Sequence, residues 1–474
     1  MVVARRPYGR RCVRNRSALW GHNLASRAEE SPLTWLYCGA MAGRAASDLS
    51  RIAWPRCGRH KAGSACDPRR RIRGGRLPAS AQVAGASPIL CFSHLRWDFV
   101  WQRPQHLMSR FARDRRVYFI EEPIFEGDAG IAPDGAMLRL DRSPTGAPPA
   151  SPTSGVTVVR PVCRDPGTGG GPVLDRVYAR LIAGLVEADG LIDPVAWFYT
   201  PMLLPGIELL GDIRVVYDAM DELTLFRFAP DGLAGREEQL LRRAAVTFAG
   251  GASLGEAKAT RHPRVRTFPS GVDTNHYRQA LDPLLPLPED LSSLPEPRVG
   301  YIGVIDERID YELLHEVAAR RPGISWVMVG PVVKVSPDEL PVAPNLAYLG
   351  QKTYAELPAY VRGFATCMMP FALNDATRFI SPTKTLEYMA AHRPIVSTGV
   401  TDVVRLYGDV VRVAPDAGTF ADQVDGALAE SREARDARAL LEQSHLARNS
   451  WEHIAKGMDS EMHLAFGERQ RGHR

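Results

Sequence analysis

Long apolar runs, cysteines and metal-binding spacings are all scarce in this 474-residue chain. No stretch reaches the roughly 18 consecutive apolar residues of a membrane-spanning helix, and none resembles a signal-peptide core. Cysteines number only seven, and Cys57 and Cys66, with His60 between them, do not match a zinc-site spacing. The glycine-rich run at 167–171 lacks the Lys-Ser/Thr pair of a phosphate-binding P-loop. These absences argue against a membrane-spanning, disulfide-stapled or zinc-dependent protein.

Charge is divided unevenly along the chain. Residues 1–85 contain 17 Lys and Arg against 4 Asp and Glu, a net charge of +13, whereas the remainder contains 42 against 50, a net charge of −8. The basic segment has little apolar periodicity, so it is predicted to be a disordered extension. A start-site artefact and a tether to membrane or nucleic acid are the alternatives. The acidic balance of the remainder indicates that nucleic acid is not its main ligand.

From residue 88 onward, short apolar runs alternate with helical patterns. This alternation predicts an α/β fold whose parallel strands are covered by helices on both faces. The Pro-rich segment 280–297 interrupts the pattern and is predicted to be a linker. We therefore expect one domain at 86–279 and a second at 298–450, with a helical tail over about 418–467.

The segment Ser-Pro-Thr-Lys-Thr-Leu-Glu at 381–387 predicts a helix whose first turn holds an anion. Ser381 suits the N-cap, and the amides of Thr383 and Lys384 would then point outward without partners. A lysine in the first turn opposes the helix dipole, and a bound phosphate would remove that penalty. Glu387, one turn further on, is placed to accept hydroxyls of a ribose. A surface helix with an ordinary lysine and glutamate is the alternative.

Residues 381–396, which continue this segment as Tyr-Met-Ala-Ala-His-Arg-Pro-Ile-Val, resemble the donor-binding segment of GT-B glycosyltransferases of the glycogen-synthase-like and mannosyltransferase-like group. The resemblance implies two Rossmann-like domains facing each other across a cleft, with a C-terminal helix at 451–474 crossing back to the first. It implies that Glu387 contacts the ribose of a nucleotide sugar. It also implies a retaining reaction without a metal or another cofactor. The sequence departs from the family at Phe379, where a second glutamate often lies near the transferred sugar.

A glycine turn ends the first predicted strand of the second domain. Gly303 lets the backbone approach a ligand at the carboxyl end of a strand, where ligands of such sheets bind. Beside the 381–387 helix, this turn resembles the pyrophosphate loop of the family, with Arg308 as a phosphate partner. A solvated loop charge is the alternative for Arg308.

A dense polar and aromatic cluster at 93–106 follows the first strand and should project into the cleft between the domains. His94 or Asp98 could position or deprotonate an acceptor hydroxyl. The candidate acceptor-binding residues are Trp97, Arg103, Asp218 and Asp221. The alternatives are core tryptophans, a structural His94, an ion pair between Arg103 and Asp98, and helix N-capping by Asp218 and Asp221. A metal site at Asp218 and Asp221 has too few oxygen ligands, so none is predicted.

These patterns together predict a cytoplasmic glycosyltransferase that moves a sugar from a nucleotide diphosphate sugar to a glycan or lipid-linked acceptor. The strings at 93–106 and 217–222 resemble a bacterial group of GT-B transferases associated with polysaccharide and teichuronic-acid synthesis. That resemblance implies a cell-envelope acceptor, with peripheral membrane association. A nucleotide-sugar epimerase on the same fold and an inactive body with a basic tether are the alternatives.

Overall fold

The computed structural model describes residues 86–126, 138–144, 155–164 and 172–472. The basic segment 1–85 and the glycine-rich run at 167–171 lie outside these ranges, so the predicted disorder stays a prediction. No helix in the described ranges is both long enough and apolar enough to cross a membrane.

The first sheet has Rossmann-like parallel pairing. Its strands are β1 (Ile89–Ser93), β2 (Val117–Glu121), β3 (Ile124–Glu126), β4 (Leu138–Pro144), β5 (Val156–Arg164), β6 (Val195–Phe198), β7 (Arg214–Ala219), β8 (Val246–Ala249) and β9 (Val265–Thr267). Their order is β3-β5-β2-β1-β6-β7-β8-β9, and β4 pairs antiparallel with β5. Every residue of β1 and β2 is buried, because helices cover both faces of a parallel sheet.

The second sheet is parallel throughout. Its strands are β10 (Arg298–Ile302), β11 (Ser325–Val329), β12 (Leu346–Tyr348), β13 (Thr366–Met369), β14 (Ile395–Thr398) and β15 (Arg412–Ala414). The order β12-β11-β10-β13-β14-β15 is that of a Rossmann fold. The strand order reverses between β10 and β13, and ligands of such sheets bind outside the carboxyl ends at that point.

Helices cover both sheets. They are α1 (Arg103–Phe111), α2 (Pro172–Ala188), α3 (Leu233–Arg243), α4 (Ala252–Ala259), α5 (Thr274–Arg278), α6 (Glu289–Ser292), α7 (Tyr311–Arg320), α8 (Leu357–Arg362), α9 (Lys384–Ala390), α10 (Thr401–Tyr407), α11 (Ala417–Leu428), α12 (Arg432–Arg448) and α13 (Trp451–Gly472). The predicted α/β architecture of two Rossmann-like domains is confirmed.

Three helices, α11, α12 and α13, occupy the segment predicted as a helical tail over about 418–467. The side chain of Ser431 accepts a hydrogen bond from the amide of Ala434 and starts α12. Asn449 ends α12, and α13 begins at Trp451.

The chain crosses between the domains twice, at adjacent positions. Val272 forms a parallel bridge with Ser450, and the Val272 amide donates to the carbonyl of Asn449 at 2.8 Å. A Cβ on Gly271 would lie 2.9 Å from the Trp451 ring, so this crossing requires glycine. Beyond it, α13 packs into the core of the first domain through residues such as Met458.

The Pro-rich segment 280–297 packs against the second domain. Leu291 is fully buried in the apolar core of the second sheet, together with Tyr277 and Ala280, which precede or begin the segment. The chain therefore joins the second domain before the predicted linker.

Candidate functional site

Loops that follow the strands of both sheets meet between the domains. The Gln351 amide donates to the carbonyl of Phe99 at 2.8 Å, and the Arg227 amide donates to a carboxylate oxygen of Glu307 at 3.3 Å. These contacts join the carboxyl-end loops of one sheet to those of the other. The site predicted from the sequence therefore lies in a cleft with walls from both domains.

Gly303 and Lys384, both predicted to bind the donor, lie against each other. Gly303 has a φ of +148°, and a Cβ there would lie 2.7 Å from Cε of Lys384 and 2.7 Å from the hydroxyl of Tyr301. Gly330 packs just behind, where a Cβ would lie 1.8 Å from the Gly303 carbonyl oxygen. Only glycines allow Gly303 and Gly330 to lie this close to each other and to the Lys384 side chain. The lysine therefore lies beside backbone that no side chain covers.

The helix α9 starts later than predicted. Its N-cap is Thr383 and its first residue is Lys384, so Ser381 precedes the helix instead of capping it. The amide of Thr385 donates to the carbonyl of Pro382 at 3.3 Å. The residues predicted to form the first turn of the helix therefore form a separate turn before it. Within the described chain, the amides of Thr383 and Lys384 have no hydrogen-bond acceptor, and no carboxylate lies within 4.0 Å of the Lys384 ammonium.

One hydrogen bond fixes α9 on the second sheet. The amide of Ile302, at the end of β10, donates to the hydroxyl of Tyr388 at 2.9 Å. Tyr388 is completely buried. This contact sets the orientation of the helix, so the half-buried side chains of Lys384 and Glu387 are held at the carboxyl end of β10.

Glu387 is half-buried on the same helix. Burial raises the pKa of its carboxyl, whereas the Lys384 ammonium and the nearby Tyr277 hydroxyl oppose the rise. The carboxylate also lies close enough to Tyr354 to raise the pKa of that phenol, which burial has already raised. A carboxylate in this setting can accept hydrogen bonds from the hydroxyl groups of a ligand that displaces water.

A cavity of about 650 Å³ lies between the domains, and Tyr354, the neighbour of Glu387, forms part of its wall. Its lining includes Trp97, Asp98 and Trp101 from the first domain and Lys352 and Tyr354 from the second. The volume lies within the usual range of small-molecule sites, and the aromatic lining suits flat or ring-shaped ligands.

Arg308 is held by its own loop. Its guanidinium contacts both oxygens of Asp306, with the shortest distance 2.7 Å from Nη2 to Oδ2. Its Cζ also lies 5.5 Å from the centre of the Phe226 ring, which belongs to the first domain. The Lys334 ammonium lies 4.8 Å from the centre of the same ring. Two cations of the second domain therefore hold one aromatic side chain of the first.

His94 and Asp221 form the facing wall of the first domain. His94 is 3% exposed at the end of β1, and Asp221 is 8% exposed after β7. Burial raises the pKa of the Asp221 carboxyl, and the cations of Arg308 and Lys334 lower it. Burial and the Lys334 ammonium lower the pKa of His94, and a backbone hydrogen bond at Tyr199 raises it. The net result is a pKa of about 3. A neutral imidazole can accept a hydrogen bond from a hydroxyl, but it is a weak base for removing its proton.

His94 makes stability depend on pH. Below pH 6.5 the unfolded chain binds a proton at His94 that the folded chain excludes. The free energy of unfolding therefore falls as pH decreases from 6.5 towards 3, and the contribution of His94 is retained above pH 6.5. We expect His94→Gln to reduce the loss of unfolding free energy between pH 6.5 and pH 5 by about 1.5 kcal/mol. Denaturant titrations at the two pH values measure this, with the exposed His453→Gln as the control. An unchanged pH dependence in His94→Gln would contradict the assigned environment.

Arg103 and Asp218 lie together, away from the solvent. The guanidinium donates to both Asp218 oxygens at 2.9–3.1 Å and to the carbonyl of Phe268 at 2.8 Å. Their side chains are 1% and 0% exposed. The pair joins α1 to β7, and the acceptor-binding role predicted for these two residues gains no support from this placement.

Asp98 and Trp97 lie at the edge of the first domain. Asp98 is largely exposed and pairs with Arg160 at 2.6 Å, so the ion pair considered between Asp98 and Arg103 does not form. Trp97 is 3% exposed and packs edge-on against Phe119 and Trp101. Trp97 is thus part of the core and borders the cavity at the same time.

Three polar residues of the cleft region were missed from the sequence. Lys334 follows β11, and its side chain is 3% exposed with Glu307 at 3.5 Å. Glu122 follows β2, and burial raises the pKa of its carboxyl to about 8. Tyr277, in the segment that enters the second domain, lies close enough to Glu387 for the carboxylate to raise the pKa of its phenol, which burial raises most. The rule that polar residues after parallel strands meet at one edge would have indicated Lys334 and Glu122, but no local signal marks Tyr277.

Comparison with known proteins bears on the fold and on a short stretch of sequence. No protein-family model matches the chain. A segment of 111 residues is 28% identical to the putative teichuronic acid biosynthesis glycosyltransferase TuaH of Bacillus subtilis (strain 168). The match spans 23% of this chain and only 28% of that protein.

Solved structures match over most of the chain. A trehalose-6-phosphate structure from E. coli bound with UDP-2-fluoro glucose has a TM-score of 0.56 at 14% identity, covering 79% of this chain and 99% of that one. The sucrose-phosphate synthase of Thermosynechococcus elongatus has a TM-score of 0.57 at 16% identity, covering 81% and 100%. Anabaena Alr3699/HepE in complex with UDP and glucose has a TM-score of 0.53 at 13% identity, covering 78% and 98%. At these identities the matches show the fold, and the chain has the GT-B fold that its resemblance predicted.

Proposed function

We propose that this protein is a glycosyltransferase that moves a sugar from a nucleotide diphosphate sugar to a hydroxyl group of a glycan or lipid-linked acceptor. The observation that carries the proposal is the meeting of Gly303, Lys384 and Glu387 at the carboxyl end of β10, in a cleft of a GT-B fold. Structural neighbours that bind UDP-2-fluoro glucose, or UDP and glucose, support a nucleotide-sugar donor.

In the proposed complex, the second domain holds the donor. The Lys384 ammonium, the open backbone at Gly303 and the amides at the start of α9 face the diphosphate. Glu387 accepts the ribose hydroxyls, and the cavity beside Tyr354 takes the base. Charge develops on the diphosphate as the sugar leaves, and fixed donors and cations in a water-poor cleft stabilise that charge.

The first domain holds the acceptor. His94 and Asp221 face the second domain from the ends of β1 and β7 and would align the attacking hydroxyl. The lowered pKa of His94, about 3, favours a positioning role over proton removal. The cationic groups of this chain supply the charge that a metal would otherwise supply, so we propose a metal-independent reaction. We also propose, from the sequence resemblance, that the reaction retains the anomeric configuration and that the acceptor belongs to the cell envelope. Determining the anomeric configuration of the product tests the first of these.

The first experiment is a thermal-shift screen of the full chain with UDP, GDP, ADP and CMP, each with and without EDTA. Binding at about 100-fold above Kd adds about 2.7 kcal/mol, which corresponds to a rise in Tm of about 5–10 °C for a single domain of roughly 150–250 residues. We expect one nucleotide to give this rise in both conditions. No rise with any of them would contradict the nucleotide site, and a rise abolished by EDTA would contradict metal independence.

A further inference from the structure

A carboxylate of the second domain is buried against a helix of the first. Oδ2 of Asp402 accepts a hydrogen bond from the Ala252 amide at 2.7 Å, and Oδ1 accepts one from the Ser253 amide at 3.1 Å. These are the first two residues of α4, whose N-cap, Gly251, has no side chain to cap them. Asp402 itself is 0% exposed, and no cation in the described ranges pairs with it. A helix start of one domain is thus capped by the other.

The same glycine touches the donor segment. A Cβ on Gly251 would lie 2.4 Å from Oδ2 of Asp402 and 2.9 Å from Cβ of Ser381. Ser381 directly precedes α9, the helix that carries Lys384 and Glu387. The contact between Asp402 and α4 therefore sets the distance between the first domain and the residues assigned to the donor.

The contact is suited to forming and breaking. When the domains separate, water can hydrate both the carboxylate and the two amides, so the net free energy of the contact is much smaller than its gross strength. An exposed ion pair between Arg405 and Glu256, at 2.7 Å, accompanies it and adds little. Asp402 lies in the first turn of its own helix, α10, so the positive ends of two helices, one from each domain, favour the carboxylate in the closed state.

We propose that Asp402 is a positioning residue that holds the cleft closed by capping α4, and that this closure completes the donor site. The second clause rests on the proposed function, whereas the first does not. Cleft closure of this kind excludes water and brings reacting groups together. Asp402 touches no reacting atom in this scheme and acts through Ser381 and α4.

Two variants break the contact from opposite sides. Asp402→Ala removes the acceptor. Gly251→Ala leaves Asp402 in place but inserts a methyl group into the contact, and the φ of −157° at this residue accommodates alanine without strain in the first domain itself. Asp416→Ala is the matched control, because Asp416 caps α11 within the second domain by accepting from the Thr419 amide at 2.8 Å.

Small-angle scattering of the full-length variants measures the separation of the domains, and titration with the nucleotide found in the screen measures donor-site affinity. We expect Asp402→Ala and Gly251→Ala to enlarge the radius of gyration and to weaken nucleotide binding about tenfold, and Asp416→Ala to do neither. Wild-type scattering and affinity in both folded variants would overturn the proposal. Expansion of the variants in a protein that binds none of the nucleotides would instead sustain the closure and refute the proposed function.

Discussion

Arg103→Met is expected to lower the free energy of unfolding by about 3–5 kcal/mol, the usual cost of removing one partner from a buried ion pair. The guanidinium is 1% exposed and the Asp218 carboxylate is 0% exposed, so methionine would leave a negative charge in the core without compensation. The loss also removes the hydrogen bond to the Phe268 carbonyl, which ties α1 to the end of β9. Chemical denaturation followed by tryptophan fluorescence measures the effect.

The double variant Arg103→Met/Asp218→Leu separates charge burial from packing. An apolar pair of similar volume is often as stable as the ion pair it replaces, so most of the lost stability should return. If the single variant were as stable as the wild type, the buried pair assigned here would be wrong. If the double variant were no better than the single one, the loss would come from packing around α1.

Glu387→Ala is expected to weaken nucleotide binding by about 1.5–3 kcal/mol, the usual range for hydrogen bonds to a charged group, which corresponds to a 10- to 150-fold higher Kd. Glu387 is half-buried beside Lys384 and Tyr277, so its carboxylate is already oriented before a ligand arrives. The variant should fold, because the removed side chain borders the cleft and α9 stays fixed through Tyr388. Isothermal titration with the nucleotide identified in the screen provides the measurement.

Glu316→Ala is the matched control, since Glu316 is a helical glutamate whose side chain is 42% exposed and pairs only with Arg320, four residues away. It should bind nucleotide as the wild type does. A folded Glu387→Ala protein with wild-type affinity would remove the ribose assignment. Comparison with the matching nucleoside 5′-monophosphate and with inorganic pyrophosphate would then show whether the diphosphate end of the site binds alone.

Phe379, where the sequence departs from the resembled family, contacts the first domain. The ring packs against the apolar cluster of the first sheet that includes Phe198 and Tyr217, and the guanidinium carbon of Arg378 lies 5.1 Å from its centre. The segment between β13 and α9 thus crosses the cleft and contacts the first domain with an aromatic side chain. This packing accounts for an apolar residue at the position where the resembled family often has a glutamate.

Much of the architecture followed from the pattern of apolar runs. Strands such as β1 and β10 are buried at every position, so each reads as a short continuous apolar run between polar segments. Alternation with helices then predicts parallel sheets, because a crossover connection is the only way to return in the same direction. The meeting of Gly303 and Lys384 was predictable for the same reason, as both follow neighbouring parts of one sheet edge.

The sequence could not specify pairings between distant residues. Arg103 is separated from Asp218 by 115 positions, and the sequence equally allowed a nearer partner, Asp98. Lys334 and Phe226 show no periodic or motif signal for their contact across the cleft. The start of α9 at Lys384 depended on the turn at Pro382, which competes with the cap that local propensity favoured.

The sequence by itself determined the α/β class, the two-domain repetition and the residues of the donor segment, because these depend on local periodicity and on the order of strands along the chain. Tertiary structure alone decided which charges are buried together, which domain Phe379 faces and that Asp402 caps a helix of the other domain. Such contacts join residues more than a hundred positions apart, and their energy depends on burial that exists only once both sheets have formed.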